Sequence, residues 1–313
     1  MEKSRTVAVI IASYNHAEFL NQRIQSIIDQ THQDLEVLVI DDFSTDNSCE
    51  VLEQFRSDPR IQLHFSDVNQ GWVATSNLGV EQTSAGFVIF ANCDDFCEPQ
   101  LISSLLEALE LNPTAAMSFC QSDLVDQDNL LIGTDRMHRS RKFKSLTEGD
   151  ALIGGGIATE LLIDSCIIPN LSAVLFRRDA LVEAGILSSQ FSVVSDWDLF
   201  FKIAKRHDIA YVHSRLNSFR QHNTTIRSST KDRKIFYEYF DLLLSQLYLS
   251  NRGKRINRLV RNSIMSKWIS YIITSPVGAF QNLPRDVWFF LKRDPKVFLY
   301  LPSAVFGIIR NRI

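Results

Sequence analysis

The chain has 313 residues, 45% hydrophobic and 22% charged, the composition of a globular protein with room for one large domain and an appendage. Five irregularly spaced cysteines argue against a disulfide framework or a zinc site, and no apolar run approaches the ~20 residues of a membrane span. The net charge of −3 hides an asymmetry: residues 251–313 hold 12 Lys+Arg against 2 Asp+Glu, leaving 21 basic and 34 acidic residues in the first 250.

Val7-Ala-Val-Ile-Ile-Ala12 is continuously apolar, which predicts a central strand buried on both faces. The chain reaches this strand by residue 7 without a signal-peptide layout, so the expected compartment is the reducing cytoplasm. The strand exits through Ser13, Tyr14 and Asn15 into a segment with Phe19, Leu20, Ile24, Ile27 and Ile28 at helical spacing. Residues 35–40 predict a second buried strand ending in Asp41 and Asp42. Ser44, Thr45 and Asp46 can cap the helix that follows around Val51, Leu52 and Phe55, and residues 61–65 predict a third strand. Strands alternating with helices imply a mainly parallel sheet with right-handed crossovers. The first strand–helix turn holds no glycine, which argues against a dinucleotide-binding turn, and no G-x-x-x-x-G-K-[ST] loop is present. A nucleotide bound to this sheet would be held by side chains at strand ends.

Asn69-Gln-Gly71 permits a tight bend, and Ala74, Thr75 and Ser76 open a helix of small residues that can lie close to a ligand. Residues 87–91 then predict a buried strand running into Asn92-Cys-Asp-Asp95, with a helical pattern from Pro99 through Leu101, Leu105, Leu106 and Leu109. Two carboxylates at the carboxyl end of a buried strand occupy the ligand-binding edge of open α/β sheets. Adjacent anions repel unless a cation shares them. Hard oxygens there suit Mg²⁺ or Mn²⁺ held jointly with substrate phosphates. The other reading of this pair is a turn that caps the next helix. Cys93 and Cys97, which flank the pair, read as small apolar fillers.

Four segments in this order resemble the family-two glycosyltransferases: residues 9–15 (VIIASYN), 39–46 (VIDDFSTD), 69–71 (NQG) and 92–95 (NCDD). The resemblance covers about residues 5–225 and implies inverting, metal-dependent enzymes of the GT-A fold. That is an α/β, Rossmann-like architecture with a mixed, mainly parallel sheet flanked by helices. It implies a glycosyltransferase domain over 1–228; periodicity and charge add a helical, basic amphipathic region over 229–313. A nucleotide-sugar donor, UDP above all, a saccharide or lipid-linked hydroxyl acceptor, and Mn²⁺ or Mg²⁺ as cofactor follow from it.

Carried over by position, the resemblance puts Ala12, Ser13 and Tyr14 along the base and ribose, with Asn77 on the helix beside the donor. Asp41 and Asp42 would take the uracil N–H, a contact suited to an acceptor-only, charged group. Asp94 matches the last acid of the D-x-D motif and would hold the metal. Asn92 stands in the first acid's place, one negative charge short, where its amide can bind ribose or a water. Residues 168–172 (IPNLS) resemble the acceptor-side segment, which brings in Asn170, with Trp197 also on that side. Gly154-Gly-Gly156 reads either as a mobile loop over the acceptor or as a plain linker.

Ser195-Asp-Trp-Asp198 resembles the family's acidic motif, with Ser195 where Glu is commoner. Asp196 would be the general base that takes the acceptor hydroxyl's proton, an effect typically worth 10²–10⁴-fold. Asp198 reads equally as a surface acid. Phe219-Arg-Gln-His222 resembles the closing R-x-H segment, with His222 on the metal or diphosphate and Arg220 on phosphate. Arg227 is a weaker phosphate candidate. A second reading, kept open by Asn92 and Ser195, is a catalytically silent relative that binds nucleotide-sugar as a scaffold in a membrane-associated assembly. A nucleotidyltransferase is disfavoured because no Gly-rich, Arg/Lys-bearing loop opens the chain.

Beyond about residue 230 the pattern is helical, with Phe236, Phe240, Leu243, Leu244 and Leu247 on one face. Basic residues then interleave with Trp288, Phe289, Phe290, Phe298 and Tyr300, which suits an interfacial helix on anionic lipid at the inner face of the cell membrane. The competing reading is a helical lid or dimer contact with these aromatics in its core. No nucleic-acid motif accompanies the basic region.

Overall fold

A computed structural model of the protein describes residues 5–168, 170–222, 232–248, 253–274 and 276–310. The chain divides into two compact units, one within residues 1–162 and 166–229, the other within 163–165 and 230–313. The proposed boundary at 228/229 and Arg227 lie outside the described residues.

In the first unit the strands are β1 (Val7–Ser13), β2 (Leu35–Asp41), β3 (Ile61–Phe65), β4 (Phe87–Phe90), β5 (Phe96–Cys97), β6 (Ala115–Val125), β7 (Leu131–Thr134), β8 (Ala151–Ile153), β9 (Val174–Arg177) and β10 (Asp208–Arg220). They form one sheet in the order β3-β2-β1-β4-β9-β6-β10-β5, with β7 pairing to β6 and β8 to β10. Interleaved in sequence are α1 (Ala17–Ile28), α2 (Ser48–Glu53), α3 (Trp72–Gln82), α4 (Leu101–Leu111), α5 (Arg141–Leu146), α6 (Gly155–Asp164), α7 (Arg178–Glu183) and α8 (Ser195–Ala204).

The uninterrupted apolar strands are the buried ones, as two covered faces require. Residues Val7 to Ile11 and Phe87 to Phe90 are buried throughout, as is the Leu20, Ile24 and Ile27 face of α1. α3 comes close to β1 through Gly79, where a Cβ would stand 2.5 Å from Cγ2 of Ile10. Cys93 and Cys97 are core residues.

Strand direction gathers the polar exits on one edge. β1 pairs in parallel with β2 and β4, and β2 with β3. β9 is antiparallel to both β4 and β6, so those two share a direction, and β10 runs parallel to β6. The carboxyl ends of β1, β2, β4, β6 and β10 therefore face the same way. α8 leads into β10 through three residues, so it must run back along the sheet, with its first turn toward that same edge.

The triple glycine is neither a lid nor a linker. Gly155 opens α6, its N–H donates to Oδ1 of Asp208 at 3.0 Å, and Gly154 O accepts from the Ala158 N–H at 2.9 Å. A Cβ on Gly155 would lie 2.4 Å from the carbonyl oxygens of Ala204 and His207. Glycine is needed there for close backbone approach.

The second unit consists of helices Asp232–Tyr248, Gly253–Thr274, Pro276–Arg293 and Leu301–Arg310, with a 3₁₀ turn at Pro295–Tyr300. Its core is aromatic: the Phe290 ring stands 5.2 Å from Phe240 and 5.5 Å from Trp268, edge-to-face in both cases. Asp286 is buried beneath it and accepts from Tyr237 Oη at 3.1 Å and Trp268 Nε1 at 3.2 Å. For Phe289 and Phe290 the core alternative of the sequence reading holds, not the lipid-facing one. Successive helical residues point about 100° apart, so Phe289 and Phe290 turn into the core while Trp288 stays 63% exposed. Among the described residues no helix is long and apolar enough to cross a membrane.

Candidate active site

The end of β2 is built to hold the loop beside it. Asp41 accepts from the Ser44 backbone N–H at 2.8 Å and from Ser44 Oγ at 2.6 Å. Asp42 takes the N–H groups of Gln70 at 2.9 Å and Gly71 at 2.8 Å, one on each oxygen. Gly71 has φ +85°, a left-handed conformation natural to glycine. Both carboxylates are buried, so their first role is to shape this edge. Ala12 is half-buried and Ser13 buried, while Tyr14 is exposed.

At the exit of β4, Asp94 meets two histidines. Nε2 of His222 is 2.9 Å from Asp94 Oδ2. One ligand atom from each of His16, Asp94 and His222 lies within 4.8 Å of the others. Nδ1 of His16 lies 2.7 Å from the Tyr14 carbonyl oxygen. Burial alone would raise the Asp94 carboxyl, but the hydrogen bond from His222 and the field of His16 hold it below its usual value. One carboxylate and two imidazoles form a donor set that fits a divalent cation.

The neighbouring Asp95 faces inward. Its Oδ2 accepts from Ser172 Oγ at 2.6 Å, Asn170 Nδ2 at 2.8 Å and Asn92 Nδ2 at 3.3 Å, and its Oδ1 accepts the Arg220 N–H at 3.0 Å. Burial and the charge of Asp94 push its carboxyl up to about 7, against the pull of the Ser172 bond and the Arg23 charge. This hub corrects one of the expected contacts. Asn170, expected on the acceptor side, is buried, with Nδ2 on Asp95 and Oδ1 facing Asn217 Nδ2 at 3.4 Å. Asn92 donates its amide N–H to Asp95 at 3.3 Å, a bond that leaves untouched the amide oxygen expected on ribose or a water.

Arg220 is corrected as well. It is 1% exposed. Nε donates to Asp94 O at 2.7 Å, Nη1 to the carbonyls of Asp126 at 3.1 Å and Gln127 at 3.0 Å, and Nη2 to Gln22 Oε1 at 2.8 Å. Its guanidinium lies over the Phe19 ring, 4.6 Å from the centroid. Every guanidinium nitrogen already has a protein acceptor, so the side chain is a clamp rather than a phosphate ligand.

Asp196 lies in the first turn of α8, half-buried, and Oδ1 accepts the Trp197 N–H at 2.7 Å. The segment before it is braced against α3. Trp72 Nε1 donates to Ser192 O at 2.9 Å, and both ends of the Asn77 amide bond the Leu187 backbone, at 2.9 and 3.1 Å. Asn77 is thus a brace where a donor contact was expected. Trp197, expected beside the acceptor, is buried and stacks on Phe201 with centroids 6.3 Å apart. Asp198 is buried and pairs with Lys202 at 2.7 Å, so it is no surface acid.

His16 is the residue the sequence reading missed. Its signal was position: it follows Tyr14 and Asn15 at the exit of β1, the strand beside β4, and so next to Asp94.

Residues 8–158 match the family model for glycosyl transferase family 2. An uncharacterized glycosyltransferase of Haemophilus influenzae (strain ATCC 51907 / DSM 11121 / KW20 / Rd) is 37% identical over 91 residues, 29% of this chain and 36% of that protein. TuaG of Bacillus subtilis (strain 168), a glycosyltransferase whose name assigns it provisionally to teichuronic acid biosynthesis, is 31% identical over 147 residues, 47% of this chain and 56% of TuaG. The matched stretches thus span between about a third and a little over half of these relatives. Among solved structures, S. aureus TarS 1–349 in complex with UDP-GlcNAc superposes with a TM-score of 0.70 at 16% identity, covering 95% of this chain and 84% of that one. The mannosyltransferase PcManGT from Pyrobaculum calidifontis, in complex with GDP-Man and Mn2+, superposes with a TM-score of 0.58 at 14% identity, covering 100% of this chain and 89% of that one. At those identities the likeness is one of fold.

Proposed function

From the match of residues 8–158 to glycosyl transferase family 2, we propose that the chain is an inverting glycosyltransferase of that family. It moves a sugar from a nucleoside-diphosphate donor, a UDP-sugar, to a hydroxyl of a saccharide or lipid-linked saccharide. The observation that carries this reading is the meeting of Asp94 with His16 and His222 at the edge where the strands end. The complexes of TarS with UDP-GlcNAc and UDP support the choice of donor. The provisional naming of TuaG supports an acceptor in envelope polysaccharide.

In this reaction the acceptor oxygen bonds to the anomeric carbon as the bond from that carbon to the diphosphate breaks. UDP leaves with the electron pair, and Asp196 holds the acceptor's proton. Asp94 and His222 would hold Mn²⁺ or Mg²⁺, which would supply charge stabilisation at the departing diphosphate. After accepting one backbone N–H on each oxygen, Asp42 keeps lone pairs for a nucleobase N–H. Ala12, Ser13 and Tyr14 border the same place. Arg220 and Asn77 position backbone around the site and Asn170 holds Asp95, rather than touch substrate, while Asn92 bonds Asp95 through its N–H and keeps its amide oxygen for ribose or a water.

The second unit supports a place on the inner face of the cell membrane. Trp288 and Leu291 are exposed beside Arg285 and Lys292, and Lys292 Nζ lies 5.1 Å from the Trp288 ring centroid. Exposed tryptophan among cations suits an anionic interface.

The deciding experiment is a screen of nucleotide-sugars for turnover by the full chain, with the products analysed. Release of nucleoside diphosphate that disappears in Asp196→Asn supports glycosyl transfer. Release of pyrophosphate, or no turnover of any donor by the wild type, overturns it.

A further inference from the structure

We infer that His16 is a third protein ligand of the cation at Asp94 and His222, and that the resulting set favours Mn²⁺ or another transition ion over Mg²⁺. This rests on the metal-assisted reading above and adds both the ligand and the selectivity.

Geometry is the first argument. The ligand atoms of His16, Asp94 and His222 lie within 4.8 Å of one another, and each residue comes from a different strand exit. The two imidazole rings meet edge-on, with centroids 5.8 Å apart.

Tautomer is the second. A carbonyl oxygen can only accept, so the 2.7 Å contact from His16 Nδ1 to Tyr14 O requires the proton on Nδ1. The lone pair then belongs to Nε2. A metal-binding imidazole is normally oriented in this way, with its other nitrogen donating to a carbonyl or carboxylate. His16 also immediately precedes α1 yet makes no side-chain cap bond, so helix capping does not account for it.

The third argument is what the acidic motif lacks. Asn92 stands where a first acid would be, and its amide donates to Asp95 at 3.3 Å. Asp95 itself is buried and accepts four protein donors. The strand exit therefore offers the cation a single carboxylate, that of Asp94. His16, from the adjacent strand β1, supplies the missing donor without restoring the missing charge. A divalent ion on one carboxylate and two neutral imidazoles keeps one net positive charge to face a diphosphate.

That donor set carries a preference. Mg²⁺ demands near-ideal octahedral oxygen ligation, whereas imidazole suits the later divalent ions. Two nitrogens in three protein ligands favour first-row transition ions over Mg²⁺, with Mn²⁺ the most weakly held of them and Co²⁺ and Zn²⁺ held more tightly.

The test is a titration of Mn²⁺ into the full chain, with and without UDP, followed by electron paramagnetic resonance. UDP affinity is read in parallel by calorimetry. The wild type is expected to hold Mn²⁺ at least tenfold tighter than Mg²⁺ in competition. Electron spin-echo modulation should report two imidazole nitrogens on the bound ion. In His16→Ala and in the helix-start-compatible His16→Asn, one coupling should disappear and Mn²⁺ binding should weaken tenfold or more. Thermal melts of both variants establish that they are folded. Two retained couplings, or unchanged Mn²⁺ affinity in folded His16→Asn, would overturn the ligand assignment. Equal affinity for Mg²⁺ would overturn the selectivity. A wild type that binds UDP but never Mn²⁺ would overturn this inference and the metal-assisted mechanism together, and leave the donor reading standing.

Discussion

His222 Nε2 and Asp94 Oδ2 are 2.9 Å apart across 128 residues of chain. Asp94 is the carboxylate of its pair that meets the two histidines, whereas Asp95 is enclosed by Ser172, Asn170, Asn92 and the Arg220 backbone. Asp94→Asn keeps the shape and removes the charge. UDP binding by the wild type should tighten on adding Mn²⁺, and the variant should lose that dependence. Calorimetry with and without metal checks this, and metal-dependent binding in Asp94→Asn would count against the assignment.

Asp196→Asn should leave donor binding intact and lower transfer by roughly 10²–10⁴-fold, the range of general-base effects. A UDP titration beside an assay of UDP release separates the two quantities. Parallel loss of binding would instead mean that α8 had shifted.

Arg220→Ala should destabilise the first unit by about 3 kcal/mol or more. It leaves the carbonyls of Asp94, Asp126 and Gln127 without their donor in a buried place. Arg220→Lys should rescue little, because an ammonium cannot reach acceptors spread around a planar fork. Urea unfolding of the three proteins gives the comparison.

The adjacent glycines of α6 should respond in opposite ways. Gly155→Ala forces a methyl against two carbonyl oxygens and should cost roughly 1–3 kcal/mol. Gly156→Ala meets nothing within 4 Å and should be neutral or stabilising by up to about 1 kcal/mol, through helix propensity. Melting temperatures of the pair report the difference directly.

In the second unit, Trp288→Ser combined with Lys292→Glu should abolish flotation of the full chain with anionic liposomes. Both side chains are exposed, so the fold should survive. Unchanged flotation of the double variant would remove this face from consideration.

The β1–β4 part of the sheet was legible because β1 and β4 are unbroken apolar runs, β2 is broken only by Glu36, and their polar exits carried the motifs; β6 and β10, with polar residues along their length, were not. What the exits do individually was less legible. Arg220, Asn170 and Asn77 are the residue types that bind phosphates and sugars, and also those that bind carbonyls and carboxylates within a fold. Only packing shows that here they turn inward. His16 was overlooked for the converse reason: it lies one residue past a recognised motif, and its partners are 78 and 206 positions away. Composition placed the C-terminal aromatics together, but adjacent positions on a helix face different surroundings, and Trp288 parts from Phe289 and Phe290 on that account alone.

Changes of chain length near the site are constrained by the same guanidinium. Arg220 fixes the carbonyls of Asp126 and Gln127 relative to that of Asp94, so an insertion at the end of β6, just before residue 126, would be transmitted to the β4 exit. Two residues further on the constraint ends, because the turn there is closed locally by Asp126 Oδ1 on the N–H groups of Asp128 and Leu130, and Leu130 is exposed. Divergent copies of this chain can therefore gain or lose residues at the hairpin tip and acquire new acceptors there, while the spacing on the inner side of the clamp stays constant.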